Sequence, residues 1–149
     1  MHIAKGGYRE DLKQYFRSKM EANVAGYYRY FGIGYCYEYE EFEFKKIMRG
    51  TRFYLPDFYV YDLQTLEFIK LIEVKGWFRK TDKTKLRRFE RYYPEEFKTL
   101  RFIIPDKYAR DKANGEMVAF LIDELGIEFR DIESYKEMEK FRGIIPGWE

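Results

Sequence analysis

From Ser18 to Phe31 the side chains Met20, Val24, Tyr27, Tyr28 and Phe31 recur at three- and four-residue intervals, the spacing of one helix face. Ser18 and Glu21 match the S-x-x-E box that opens a helix, and Gly32 is placed to end it. A shorter helix is expected before it, around Asp11 to Arg17. The pattern then shortens to a period of two. Tyr35, Tyr37 and Tyr39 alternate with Glu38 and Glu40 in a strand that runs to Phe44. Arg52 to Tyr61 is a second strand, interrupted by Pro56, which inside a strand means an edge, a bulge or a bend. After a turn at Asp62 to Thr65, Glu67 to Lys75 is a third, closed by Gly76. Helical spacing returns from Thr81 to Tyr92, with Leu86, Phe89 and Tyr92 or Tyr93 inward, Asp82 suiting the helix start and Pro94 closing it. Leu100 to Ile104 is a compact apolar strand ended by Pro105, Glu116 to Leu125 a helix stopped by Gly126, and Ile127 to Phe129 a short last strand. The order α-β-β-β-α-β-α-β predicts one α/β domain, a mixed central β-sheet flanked by helices. The stretch from Glu67 to Ile104 is expected to be a right-handed crossover joining parallel strands.

The chain has 149 residues, enough for a single domain with a real core and too few for two. With 46% hydrophobic and 36% charged residues it reads as globular. Aromatic residues make up 21%, which serves a core or a contact surface equally well. The net charge of +2 carries no global nucleic-acid signature, so local charge has to decide that question. No apolar run approaches the ~20 residues that span a bilayer, and Met1 to Arg9 lacks the apolar stretch of a signal peptide. One cysteine, Cys36, excludes an internal disulfide and fits a reducing compartment. The expectation is a soluble, cytoplasmic protein without membrane contact.

Absences narrow the chemistry. His2 is the only histidine and sits at the N-terminus, so Ser-His-Asp, Cys-His and His/Cys zinc sites are disfavoured. No Gly-x4-Gly-Lys-Ser/Thr or Gly-x-Gly-x-x-Gly loop offers a nucleotide cofactor site. Catalysis would rest on carboxylates and lysines, which favours hard metals such as Mg²⁺ or Mn²⁺. One constellation offers this: Leu55-Pro56-Asp57-Phe58, then Glu73-Val74-Lys75-Gly76. Strand alternation puts Ile69, Leu71, Glu73 and Lys75 on one face and Phe68, Ile72 and Val74 on the other. Glu73 and Lys75 would lie ~7 Å apart at a rise of about 3.3 Å per residue, and Asp57 can converge on them from the bend at Pro56. Two carboxylates holding Mg²⁺ against a phosphate oxygen, beside a lysine that orients or helps deprotonate water, suit phosphodiester hydrolysis. E-x-K by itself reads as a cross-strand ion pair worth little. A Pro-Asp bend on the preceding strand makes the catalytic reading the better one.

Pro56-Asp57 with Glu73-Val74-Lys75 resembles the motif of the PD-(D/E)XK nuclease superfamily. The resemblance is greatest to the phage endonuclease I family of Holliday-junction resolvases. Phe16-Arg17-Ser18-Lys19-Met20-Glu21, Gly32-Ile33 before Tyr37-Glu38-Tyr39-Glu40, Phe53-Tyr54-Leu55-Pro56-Asp57-Phe58 and Glu73-Val74-Lys75-Gly76-Trp77 stand in that family's order. Tyr93-Pro94-Glu95, Gly126-Ile127-Glu128-Phe129 and Ile145-Pro146-Gly147-Trp148 extend the likeness to the end of the chain. It implies a metal-dependent endonuclease for branched DNA, with the family's acidic helix residue at Glu21, metal-binding acids at Asp57 and Glu73, its lysine at Lys75, and the Val74 carbonyl as a backbone metal ligand. It also implies a homodimer with two active sites for two strands. For Glu21 the capping box is a sufficient reason without catalysis.

Local charge adds a second signal. Arg79, Lys80, Lys83, Lys85, Arg87, Arg88 and Arg91 crowd one segment against Asp82 and Glu90. Its first part should border the active site, with Lys80, Lys83 and Arg87 on one helix face as a clamp on backbone phosphates. Arg17, just ahead of the helix that carries Glu21, joins them as an expected DNA contact. A nicking or transposon-end-cleaving nuclease of the same superfamily, and a non-catalytic DNA-binding module with a nuclease fold, stay open as alternatives.

Overall fold

A computed structural model describes residues 5–149. Among them β1 (Lys5–Arg9) and β2 (Gln14–Ser18) form a hairpin, followed by α1 (Lys19–Tyr30), β3 (Gly34–Tyr37), β4 (Phe42–Glu43), β5 (Phe53–Tyr54), β6 (Phe58–Tyr61) and β7 (Phe68–Val74). Then come α2 (Lys80–Tyr92), α3 (Pro94–Phe97), β8 (Leu100–Ile104), α4 (Lys112–Ala119), β9 (Ile132–Ser134) and α5 (Tyr135–Met138). The central sheet has five strands in the order β3-β6-β7-β8-β9. β3, β6 and β7 run antiparallel, and β7, β8 and β9 parallel, so the sheet is mixed as expected. Among the described residues no helix is long and apolar enough to cross a membrane.

Alternation in the two central strands builds both halves of the core. Leu71, Leu100, Phe102 and Ile104 pack with Leu86 and Phe89 of α2 and Leu121 beyond α4. Ile72, Val74 and Ile103 point the other way, against Val24, Ala25 and Tyr28 of α1. Each of these fully buried large side chains contributes about 1.5–3 kcal/mol over leaving it in water. Together they fix β7, and with it Glu73, to the middle of the molecule.

Five expectations need correction. Asp11 to Arg17 is not helical: Tyr15 and Arg17 are exposed while Phe16 is fully buried, a period of two, and Gly7 and Tyr8 pair with Phe16 and Tyr15. Gly6 permits that pairing, since a Cβ there would lie 2.0 Å from the Phe16 carbonyl oxygen. The strand from Tyr35 to Phe44 divides at Glu38, whose φ of 50° turns the chain, and Arg52 to Tyr61 divides at Leu55–Asp57. The helix expected from Glu116 begins at Lys112, where Asp111 accepts a hydrogen bond from the Asn114 N–H, and widens into a π-helical turn at Phe120–Glu124. The last strand is Ile132–Ser134 rather than Ile127–Phe129. The Ile127 N–H is already bound to the Leu121 carbonyl, whereas Ile132 and Ser134 pair with Phe102 and Ile104.

Candidate active site

Proline has no N–H to give to a ladder, and β6 begins only after Pro56, at Phe58. The last residues of β7 therefore lack a strand neighbour on that edge, and the Asp57 side chain takes the place. Its Oδ2 accepts the Val74 N–H at 2.7 Å. The N–H and C=O of one strand residue point to the same edge, so the Val74 carbonyl faces this pocket too. Lys75 is turned the other way, its N–H bound to the Ile103 carbonyl of β8 at 2.9 Å.

Three carboxyl groups meet here, all largely buried: Asp57, Glu73 at 3% exposure and Glu21 at 7%. Each is held by a partner from another element. The Tyr54 hydroxyl of β5 donates to Glu73 Oε2 at 3.1 Å, and the Tyr37 hydroxyl of β3 donates to Glu21 Oε1 at 3.0 Å. The Arg17 N–H in turn donates to the Tyr37 oxygen at 3.1 Å. Ser18 caps α1, its hydroxyl accepting the Glu21 N–H at 3.1 Å. That leaves the Glu21 side chain free to turn inward, where it and Glu73 both lie within hydrogen-bonding reach of Asp57. The capping box is thus half formed, through the serine, and the glutamate side chain bonds a tyrosine instead.

Burial, then the charges of Glu73 and Glu21, push the Asp57 carboxyl well above the ordinary carboxylate range. Burial also raises Glu73, although Lys75 and the hydrogen bonds from Asp57 and Tyr54 partly offset it. For Lys75 burial works against the charged form, but Glu73, Asp57 and Asp82 outweigh it and the net shift is upward. Beside these acids Lys75 is held in its ammonium form. Its Nζ donates to Asp82 Oδ1 at 3.2 Å, while Asp82 Oδ2 accepts the Arg79 N–H at 2.8 Å and so opens α2.

Crowded carboxylates of this kind are compatible when a cation lies among them. Their donors are all oxygen, with the Val74 carbonyl on the same edge, which fits a hard divalent ion and not a soft one. Among the described residues no group of three or more His, Cys, Asp or Glu side chains is placed to hold a metal ion by itself. Mg²⁺ seldom uses one; it keeps several waters and is held by one or two carboxylates plus substrate phosphates. His2 lies outside the described residues.

The carboxyl groups and Lys75 open into a cleft of about 440 Å³. Glu21, Asp57, Glu73 and Lys75, the four expected catalytic residues, all line it. The expected basic clamp is divided. Arg17, Arg79 and Lys85 reach the cleft. Lys83 and Arg87, one turn apart, lie 5.0 and 5.4 Å over the Phe120 ring instead, and Arg87 pairs with Glu124 at 2.9 Å. Arg88 donates to the Thr51 carbonyl, and exposed Lys80 does not line the cleft. The reason is helical phase. Asp82 is tied to Lys75, so Asp82, Lys85 and Leu86 face the cleft and the Lys83–Arg87 row is turned toward the π-helical turn. Arg17 also spends charge locally, 2.5 Å from Glu38.

Sequence reasoning gave Tyr37, Tyr54 and Asp82 no part in the site. Asp82 was visible only as a helix-start residue. The tyrosines stood in aromatic strands and inside the motifs that carry the family resemblance, with no role of their own assigned. Comparison with protein-family models, curated proteins and solved structures returns no match for this chain.

Proposed function

We propose that this chain is a divalent-metal-dependent DNA endonuclease of the PD-(D/E)XK type, which hydrolyses phosphodiester bonds and acts on branched DNA as a homodimer. The observation that supports it most is the meeting of Asp57, Glu73 and Glu21 beside the Lys75 ammonium, at the break between β5 and β6, under an open cleft. An ion pair on a solvated sheet face would not bury three carboxyl groups together, because each buried charge without a partner is costly.

Asp57 and Glu73, with the Val74 carbonyl and Glu21 beside them, would hold Mg²⁺ or Mn²⁺. When bound, the ion supplies charge for the phosphate oxygens and lowers the pKa of water. Tyr54 and the Val74 N–H fix the rotamers of Glu73 and Asp57, so their remaining oxygens are aimed before substrate arrives. The Lys75 ammonium, steadied by Asp82, would donate to a phosphate oxygen and stabilise the negative charge that develops there. Arg17, Arg79 and Lys85 draw the DNA backbone to the mouth. Branched DNA and the dimer follow from the sequence resemblance. They are tested by incubating a four-way junction beside matched linear duplex and single strand with Mg²⁺. Preferential, paired cuts near the branch are expected, and equal cutting of all three substrates would reject the junction preference alone.

A further inference from the structure

The loop from Lys75 into α2 exposes an apolar side chain at an unusual place. Phe78 turns inward, its ring 6.2 Å from Phe102 and 5.3 Å from Phe120. Trp77, its neighbour, lines the cleft with 44% of its surface open. The Arg79 guanidinium lies 5.2 Å over the indole. A second pair repeats the arrangement: Phe53 lines the cleft at 38% exposure, with Arg52 5.4 Å over its ring. Large aromatic rings left in water forgo burial energy. A flat ring with a guanidinium on one face suits a nucleobase stacked against the ring and its phosphate beside the cation. The Cα atoms of Lys75 and Trp77, two residues apart, are at most ~7 Å from each other. That is on the order of one nucleotide step along a backbone held at Lys75.

We infer that Trp77 is a stacking platform for one nucleobase next to the scissile phosphate. Resting on the nuclease reading, this makes the preferred substrate DNA in which that base is already out of the duplex stack. Bases inside an intact duplex present their edges to the grooves and keep their faces covered by neighbours, so Trp77 gains nothing from them. An unpaired base at a gap, flap or strand crossing offers its face without the cost of unstacking.

The test measures binding in Ca²⁺ to fluorescently labelled duplex containing a one-nucleotide gap and to the intact duplex of the same sequence. Wild type, Trp77→Ala and Trp77→Tyr are compared, with circular dichroism to verify each fold. Trp77→Ala should weaken binding to the gapped DNA about tenfold or more and to intact duplex by less than about twofold, while Trp77→Tyr keeps most of the affinity. In a Trp148→Phe background Trp77 is the single tryptophan, and gapped DNA should quench its emission where intact duplex does not. Equal weakening on both DNAs, no weakening on either, or no quenching overturns the inference. Cleavage in Mg²⁺ is scored separately. A chain that cuts nothing but shows the Trp77-dependent discrimination loses the nuclease reading and keeps the platform; one that cuts without the discrimination does the reverse.

Discussion

Asp57 carries two duties that pull against each other. It substitutes for a strand neighbour by accepting the Val74 N–H, and it stands as a buried acid beside two others. Asparagine would keep the first duty, since its carbonyl accepts the same bond, and would remove the repulsion. A carboxyl raised in the folded state contributes stability that is fully present below its unfolded pKa, about 3.9. That stability is lost as pH rises through the raised folded value. In EDTA, Asp57→Asn should therefore melt above wild type at pH 8, and the two should converge near pH 4. At roughly 2–4 °C per kcal/mol for a chain of this size, the gap should be a few degrees. Mg²⁺ should raise the melting temperature of wild type and leave the variant unchanged. A variant less stable than wild type at pH 8 would contradict the crowding of acids. Asp82 acts one step further out, through Lys75. Asp82→Ala should lower kcat roughly 10- to 100-fold, as loss of outer groups that orient a metal site does, while Asp82→Asn, whose single carbonyl oxygen can accept from only one of Lys75 and Arg79, should restore part of it. If Asp82→Ala loses thermal stability but keeps kcat, the residue serves only to start α2.

At the scale of elements, α2 shows how far sequence reasoning reached. Its span, its inward Leu86 and Phe89 and its charge were legible from a period of 3.6, because that period is a property of the helix alone. Which charged row faces the cleft was not, since the contact between Asp82 and Lys75 sets the helix phase and joins residues seven apart through a loop. The same division holds elsewhere. β7 with its Glu73, and Lys75 just past its end, could be read from alternation, and Asp57 from a proline that cannot pair. The β1–β2 hairpin was hidden because a helix and a short strand pair look alike over seven residues, and β9 because its partner β8 lies some thirty residues earlier. The phase of α2 has a measurable consequence. Replacing Arg79 and Lys85 by Ala should weaken DNA binding and flatten the slope of log affinity against log salt by roughly one unit per lost phosphate contact. Replacing Lys83 and Arg87 should change that slope much less. An equal fall in both pairs would mean that DNA reaches the Phe120 side as well.

Across the whole molecule, the acidic centre lies where both faces of the sheet can be felt. α1 brings Glu21 from one side, and β5 and α2 bring Tyr54 and Asp82 from the other, while β6 yields its edge to Asp57. β3 is an edge of the five-stranded sheet, and the rings of Tyr39, Tyr59 and Phe68 form a row of tilted contacts with centroids 4.6 and 4.9 Å apart. Tyr39 is 61% and Phe68 39% exposed, which offers an apolar surface to a second copy. Light scattering at micromolar concentration should therefore give the mass of a dimer; a monomer would remove the paired-cut model and leave each site intact. The central claim is that this centre cuts DNA with a metal, and the most direct measurement is strand scission by wild type, Asp57→Asn and Glu73→Gln in Mg²⁺, Mn²⁺ and EDTA, with binding followed in parallel. Scission by wild type in either metal, none in EDTA, none by the two variants, and DNA binding retained by all three is the expected result. Scission by either variant at the wild-type rate, or intact DNA throughout with folded wild type in Mn²⁺, would contradict it.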